Sequence, residues 1–70
     1  MKENILNQLS EIFEQEIYDI NVNFKDLEAW DSLTALSIIA LADSNYKKKL
    51  TNDILNQLKT FDDLVNYILE

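Results

Sequence analysis

The sequence predicts an all-α fold in which residues 1–70 form one domain, and three observations lead to this prediction. The chain has no glycine and no proline and is 47% hydrophobic, which is typical of a helical globular protein rather than a disordered one. Apolar residues recur at three- and four-residue spacing in several separate stretches, and this is the period of an amphipathic helix. A chain of 70 residues lies near the lower size limit for a core without disulfides or metal, so its helices must share one centre.

The first helix is predicted from Asn4 to about Glu16. A helix that binds a membrane surface would carry lysine or arginine on its polar face, whereas this one carries glutamate, so we expect it to pack on the core. The apolar positions at helical spacing are Ile5, Leu6, Leu9, Ile12, Phe13 and Ile17.

Residues 18–24 alternate apolar and polar side chains in the manner of a strand. No second alternating run is available to pair with them, so we interpret this segment as an extended loop. The loop is expected to press Ile20, Val22 and Phe24 onto the core and to turn at residues 24–27. Trp30 is expected to close the loop together with Leu27 and to pack back onto the helix that follows it.

The second helix is predicted to begin at Ser32 and to run to about Ser44. Asp31 is a strong N-cap residue, because its carboxylate can accept hydrogen bonds from the free amides of the first turn. Ser32 then stands at the first helical position, beside unpaired amides and the positive end of the helix dipole. A phosphate ester on Ser32 would be favoured there, although the Asp31 carboxylate would repel it.

Ser32 is not expected to act as a nucleophilic catalyst. A reactive serine needs a base, usually a histidine held by an acid, and the chain contains no histidine and no cysteine. We therefore expect no catalytic residues and interpret Ser32 as an attachment point that another enzyme modifies, although a capped helix start is by itself an ordinary structural feature. Metal ligands are not expected either, because the acids lack the spacing of a calcium loop.

The second helix is apolar on more of its circumference than a surface helix needs, so part of it must line a partner or a cavity. We predict that Leu36 and Ala40, four residues apart, share an outward face beside Ser32. A helix simply wedged between its neighbours is the alternative. The inward positions are predicted to be Leu33, Ile38, Leu41 and Ala42.

Two further helices complete the predicted fold. A short third helix is capped by Thr51 or Asn52, and a last helix is capped by Thr60 with Asp63 in a capping box. The inner face of the last helix is formed by Phe61, Leu64, Val65, Ile68 and Leu69. The three consecutive lysines at 47–49 are expected to form a solvated loop.

Composition and charge exclude several classes of function. A net charge of −7 and the lack of arginine disfavour nucleic acid, whereas an acidic surface suits basic patches on proteins or serves solubility alone. The N-terminal residues 1–6 have no leader pattern, and no apolar run is long enough to cross a bilayer. We expect a cytoplasmic monomer that does not insert into a membrane.

The run Trp30-Asp31-Ser32-Leu33, the apolar helix after it and the short acidic chain around it resemble the acyl carrier proteins. The resemblance covers nearly the whole chain and ends with the helix near residues 60–68. It implies a four-helix acyl-carrier-like bundle with a long loop between helices 1 and 2 and a short third helix. It also implies that Ser32 carries covalent 4′-phosphopantetheine and that Asp31 is presented to the phosphopantetheinyl transferase and its magnesium.

The same resemblance implies that partner enzymes dock on the outward face of the second helix. The candidate partner-binding residues are Leu33, Leu36, Ser37 and Ala40. Acyl-loading and acyl-transfer enzymes are the implied partners, in fatty-acid or polyketide synthesis.

The chain also departs from the family pattern. Family members usually carry glycine before the motif and often after the motif helix, so we expect Asn45 to adopt the left-handed conformation at that helix end. Asp43 is the only acid between Ser32 and Asn45, and Thr34, Ser37 and Ser44 stand where the family commonly has carboxylates. We therefore expect a carrier for a specialised pathway.

The function predicted is that of an acyl carrier protein, which holds an acyl intermediate as a thioester on the phosphopantetheine of Ser32. Two alternatives remain open from the sequence. One is a peptidyl or aminoacyl carrier protein, and the other is a small acidic helical interaction module without a covalent cofactor. An enzyme is disfavoured, because 70 residues seldom enclose a substrate pocket.

Overall fold

The computed structural model describes residues 2–70 and contains, in that range, four α-helices joined by loops. They are α1 (Lys2–Phe13), α2 (Ser32–Tyr46), α3 (Asn52–Gln57) and α4 (Phe61–Leu69), with a single 3₁₀ turn at Phe24–Asp26 in the first loop. This arrangement confirms the all-α class, the long loop between the first two helices and the short third helix. Met1, part of the N-terminal segment considered above, lies outside the described residues.

The core lies where α1, α2 and α4 meet, and the first loop also contributes to it. Three phenylalanines lie at its centre. The Phe13 ring packs edge-on against the Phe61 ring with 5.2 Å between the ring centroids, and the centroids of Phe24 and Phe61 are 5.9 Å apart. On α4 the predicted inner face is confirmed, since Phe61 and three aliphatic residues are buried and Leu69 is partly buried. The buried aliphatic side chains include Ile5, Leu9, Ile38, Leu55, Leu64, Val65 and Ile68.

Helix α1 ends at Phe13, earlier than the predicted end near Glu16. Glu14 adopts a left-handed conformation with φ of 56°, and the Gln15 amide donates to the Ser10 carbonyl at 3.1 Å. These two features are those of a helix C-terminus that closes on a left-handed residue. The apolar spacing that runs on to Ile17 therefore continues outside the helix.

The first loop is extended as predicted and packs Phe24 and part of Ile20 onto the core, but the prediction for Val22 was wrong, because that side chain is exposed. The loop also finds a backbone partner that was not expected. Asn23 and Thr60 form an isolated antiparallel bridge, and the amides of Phe24, Phe61 and Asp62 donate to carbonyls across this pairing. The segment before α4 is too short to show an alternating pattern, so the sequence did not reveal it as a partner. The turn at residues 24–27 is confirmed by the 3₁₀ turn, in which the Lys25 amide donates to the Asn23 side chain at 2.9 Å.

The helix N-caps are those that the sequence predicted. The Asp31 carboxylate accepts from the Thr34 amide at 2.8 Å, and Thr51, rather than Asn52, caps α3. Thr60 and Asp63 form a complete capping box at the start of α4, with both hydrogen bonds present.

The left-handed residue after α2 is Lys47, with φ of 54°, so the prediction that named Asn45 was wrong. Asn45 stays helical because α2 continues to Tyr46. The Tyr46 ring is partly buried, and its hydroxyl donates to Gln8 Oε1 of α1 at 2.6 Å, which holds the last turn of α2 in helical form.

Candidate attachment site at the start of α2

Ser32 is the first residue of α2, and its side chain is exposed. The cap residue Asp31 is extended, with φ of −158°, and the Ala35 amide closes the first helical turn on the Asp31 carbonyl at 3.0 Å. The hydroxyl of Ser32 thus stands beside the amides of the first turn, where the partial positive charge of the helix is concentrated. This position can stabilise a phosphate ester on the hydroxyl oxygen.

Hydrogen bonds from Thr34, the backbone amide first, hold the pKa of the Asp31 carboxyl below its ordinary value. Asp31 is therefore ionised at neutral pH and presents a fixed negative charge next to Ser32. An anionic group on Ser32 would feel that repulsion together with the attraction of the helix start, so the two effects partly cancel.

Two side chains fix the approach to the helix start. The Thr34 hydroxyl is buried and donates to the Ala29 carbonyl at 2.7 Å, which corrects the expectation that Thr34 stands on the outward face. The Trp30 ring lies 6.3 Å from that of Phe13 and 5.2 Å from that of Phe24. The structural role of Trp30 is confirmed, since its ring packs on aromatic rings of α1 and of the first loop.

A groove of about 500 Å³ opens beside Ser32, between α2 and α3. The α3 side consists of Asn52 and Asn56, which the sequence analysis did not select as site residues. Their four-residue spacing on one helix face was the signal that could have found them. The side formed by the motif and α2 consists of Trp30, Asp31, Ser32, Ala35, Leu36 and Ile39. Because the exposed Ser32 is one of the residues that line this groove, the site has room for a long group attached there.

The candidate partner-binding residues lie on the exposed side of α2. Leu33 is 73% exposed and Leu36 is 62% exposed, and Ser37 and Ala40 are exposed as well. The predicted inward orientation of Leu33 was therefore wrong. The buried residues of α2 are Thr34, Ala35, Ile38 and Ala42.

Leu33 is exposed because other residues of the first turn of α2 occupy the positions that face the core. Ile38 and Ala42 are fully buried as predicted, and Leu41 is partly buried. Counting back from Ile38 by one helical turn gives Thr34 and Ala35, whose side chains fill the inward positions of the first turn. Leu33 precedes both and so points to solvent beside Ser32.

Two other properties bear on function. No helix within residues 2–70 is long and apolar enough to cross a membrane. The side chains that the structure describes form no group of three or more potential metal ligands.

A family model described as the phosphopantetheine attachment site matches residues 3–68. The match covers nearly the whole chain, so this protein belongs to that family, whose defining feature is covalently attached 4′-phosphopantetheine. The chain is therefore a phosphopantetheine-bearing carrier protein, and carrier domains of this kind interact with the enzymes that modify them and handle their cargo. Comparisons with curated proteins and with solved structures gave no match.

Proposed function

We propose that Ser32 is the attachment serine and that the chain is an acyl carrier protein, which holds an acyl intermediate as a thioester for a specialised biosynthetic pathway. The observation that carries this proposal is the position of Ser32, exposed at a capped helix start and open to the groove between α2 and α3. The family match supplies the cofactor.

No other serine combines these properties. The Ser10 hydroxyl is partly buried and donates to the Leu6 carbonyl at 2.9 Å within α1. Ser37 and Ser44 are exposed but lie inside α2, where the neighbouring amides are already used by the helix. A phosphate ester at either position would lack the free amides that surround Ser32.

Attachment joins the Ser32 oxygen to the phosphorus of the pantetheine arm and breaks the phosphoanhydride of coenzyme A. The nucleotide part of coenzyme A leaves, and the serine proton passes to a base. The chain offers no histidine for this step, so we assign the base to the transferase complex. Once bound, the arm supplies a thiol that can form a thioester with the cargo.

Asn52 and Asn56 are suited to orient such an arm. Each side-chain amide offers two donors and an acceptor, and both line the groove opposite the apolar residues Ala35 and Ile39. The pantetheine arm contains amide groups, so it could exchange hydrogen bonds with these asparagines while its aliphatic parts contact α2. The Lys25 ammonium donates to the main-chain carbonyl of Asn56 at 2.9 Å, which ties the end of α3 to the first loop and leaves the Asn56 side chain out of that bond.

The test is the intact mass of the protein after incubation with coenzyme A, magnesium and a phosphopantetheinyl transferase. We expect the natural chain to gain the mass of one pantetheine arm and Ser32→Ala to gain none. Ser37→Ala is the matched control and should be modified as fully as the natural chain. Modification of Ser32→Ala would disprove the assignment of the serine.

An aminoacyl or peptidyl cargo is the second candidate. The two asparagines that face the groove favour it, because a polar cargo can hydrogen-bond to them whereas a long aliphatic chain cannot. Amide shifts of Asn52 and Asn56 side chains in NMR spectra, compared between aminoacyl-loaded and acyl-loaded protein, would separate the two. An interaction module without a cofactor is disfavoured by the family match.

A further inference from the structure

The first loop presents a second apolar surface, separate from α2. Tyr18 is 88% exposed and Val22 is 37% exposed, which places them with Leu33 and Leu36 among the exposed large hydrophobic residues of the described chain. Beside Tyr18 lies a cavity of about 190 Å³ with Ile17, Val22, Leu27 and the edge of Phe61 in its wall. We call this cavity the first-loop groove.

The backbone around the first-loop groove is held in place. The Asn21 amide donates to Asp19 Oδ1 at 2.9 Å, and the Val22 amide donates to the Asp19 carbonyl at 3.3 Å. The Ile20 carbonyl accepts from the Asp62 amide at 2.9 Å, which fastens the loop to the start of α4. A surface fixed in this way loses little conformational entropy when it binds a partner.

Negative charge is concentrated around the same groove. Glu16 and Asp19 are exposed and line the groove, and the exposed Glu14 precedes them in the chain. The sequence has no lysine between Lys2 and Lys25. The Lys25 ammonium donates to the main-chain carbonyl of Asn56, so this positive charge is held toward the end of α3. The potential over the loop is therefore negative, in contrast to the exposed face of α2, whose single acid is Asp43.

The first-loop groove continues along α1. A neighbouring groove of about 440 Å³ shares Glu16 and Ile17 with it and is lined on the other side by Glu3, Leu6 and Ser10 of α1. Because the two grooves share Glu16 and Ile17, they form one longer surface, whose lining includes the acids Glu3, Glu16 and Asp19 together with aliphatic side chains. Such a shape fits a stretch of polypeptide with basic side chains on either side of an apolar one.

We propose that the first-loop groove, with Glu16 and Asp19 on its rim and Glu14 next to them in the chain, is a docking surface for a protein segment that carries an apolar side chain flanked by lysine or arginine. The cavity itself, at about 190 Å³, is below the range of about 300–1,000 Å³ usual for small-molecule sites, and the elongated acidic surface that continues it along α1 suits a polypeptide. Nucleic acid would be repelled by the acids. The pocket accommodates one apolar side chain, and the rim steers basic groups to it.

This docking surface is independent of the proposed role of Ser32. It uses no atom of the motif, so Ser32→Ala should bind the segment as the natural chain does. Failure of one proposal therefore leaves the other standing.

The test is an NMR titration of the isotope-labelled chain with a capped synthetic peptide that has one leucine between two Lys-Arg pairs. We expect amide shifts centred on residues 15–22 and Leu27, with binding that weakens by about tenfold or more at high ionic strength. A second peptide with serine in place of leucine should bind about tenfold more weakly, because it cannot fill the groove. Shifts spread evenly over all acidic segments, or equal binding of the two peptides, would overturn the proposal.

Variants of the chain test separately the contribution of the acidic side chains and that of the exposed aromatic side chain. Glu14→Lys with Glu16→Lys should abolish peptide binding, whereas the matched charge reversal Asp53→Lys with Glu70→Lys should reduce it by less than about threefold. Tyr18→Ser should weaken binding, whereas Leu36→Ser, which removes another exposed large hydrophobic side chain, this one from α2, should not. The amide spectrum of each variant reports its fold, so lost binding in a folded variant is informative. Weakening by the Asp53 and Glu70 pair as large as that by the Glu14 and Glu16 pair would contradict the proposal.

Discussion

Two aspartates at helix starts, Asp31 and Asp63, couple the local structure of the chain to pH. Each carboxylate accepts hydrogen bonds from backbone amides, the Thr34 amide for Asp31 and the Thr60 and Lys59 amides for Asp63. Those bonds lower both pKa values from the ordinary 3.8. In the folded chain these carboxylates therefore keep their charge at pH values where the unfolded chain has begun to take up protons.

The first prediction follows from that difference in pKa. The two carboxylates contribute stability that is fully present above pH 3.8 and is lost as the pH falls through their lower folded pKa values. Replacing both by asparagine, in Asp31→Asn with Asp63→Asn, keeps a capping oxygen but removes the titration. The free energy of unfolding, measured by urea denaturation at a series of pH values, should therefore fall less steeply below pH 3.8 in the variant. Parallel curves would show that neither cap titrates differently in the folded state.

The second prediction concerns Asp31 as both a cap and a recognition element. Asp31→Ala removes the acceptor of the Thr34 amide, so it should lower the thermal midpoint, and we expect it to slow modification of Ser32 as well. Asp31→Asn separates the two effects, because it can still cap the helix while lacking the charge. We expect Asp31→Asn to retain most of the stability and to be modified slowly, measured by the rate of mass gain with the transferase. Rapid modification of both variants would assign Asp31 a structural role alone.

At the scale of single elements, the absence of glycine leaves two helix ends on residues that avoid the left-handed region. Glu14 ends α1 with φ of 56°, and Lys47 ends α2 with φ of 54°. The same absence explains why the sequence predicted the wrong residue at the end of α2. Asn45 has the better intrinsic tolerance, but the hydrogen bond between Tyr46 and Gln8 carries the helix past it, and the sequence does not show that contact between distant residues.

The third prediction is that Lys47→Gly stabilises the chain. A non-glycine residue in the left-handed region destabilises the folded chain by about 1–2 kcal/mol. Glycine removes that strain but lowers stability by about 0.5–1 kcal/mol, because it has more conformational freedom in the unfolded chain. The net gain in the free energy of unfolding should be about 0.5–1 kcal/mol by urea denaturation. The matched control is Lys49→Gly, which removes the same charge at a residue with negative φ and should destabilise the chain. Equal effects of the two substitutions would contradict the conformational explanation.

For the whole molecule, a feature could be predicted from the sequence when it depends on residues close together in the chain. The three N-caps and the inner face of α4 were predicted correctly, because each depends on a few consecutive residues. The orientation of Leu33 and the pairing of residues 23 and 60 were not, because they depend on how α2 and the first loop sit on the rest of the bundle. The same holds for the site. Ser32 and Asp31 stand out in the motif, whereas Asn52 and Asn56 belong to the groove only after α3 has packed beside α2.

The distribution of charge over the molecule separates two candidate contact surfaces. The exposed face of α2 offers Leu33, Leu36 and Ala40 with Asp43 as its single acid. The loop between α1 and α2 instead carries five acids before the Asp31 cap, which are Glu14, Glu16, Asp19, Asp26 and Glu28. An enzyme that contacts α2 alone should therefore bind with little dependence on salt. Salt dependence is expected instead from partners that contact the first loop.

The last prediction tests the chemistry of the α2 face. Fatty-acid carriers of the resembled family usually show several acids there, so a fatty-acid elongation enzyme should use this chain poorly, and added acids should improve its use. Thr34 is unsuitable for this change because its buried hydroxyl bonds the Ala29 carbonyl, so the variant is Ser37→Glu with Ser44→Glu, two exposed positions two turns apart on α2. Each exposed ion pair contributes about 1 kcal/mol or less, so we expect kcat/KM for transfer from loaded protein to rise by several-fold at low salt and the gain to vanish at high salt.

The control for this gain is Asn4→Glu with Asn7→Glu, which adds the same charge on exposed positions of α1 and should leave transfer nearly unchanged. A comparable gain in the control would mean that net charge, and not the α2 face, limits the encounter. A natural chain that already serves the elongation enzyme as well as the main fatty-acid carrier of its organism would refute the dedication to a specialised pathway. The two outcomes are distinguishable. A gain in the control variant would show that the position of the added acids does not matter, whereas efficient transfer from the natural chain would show that no added acids are needed.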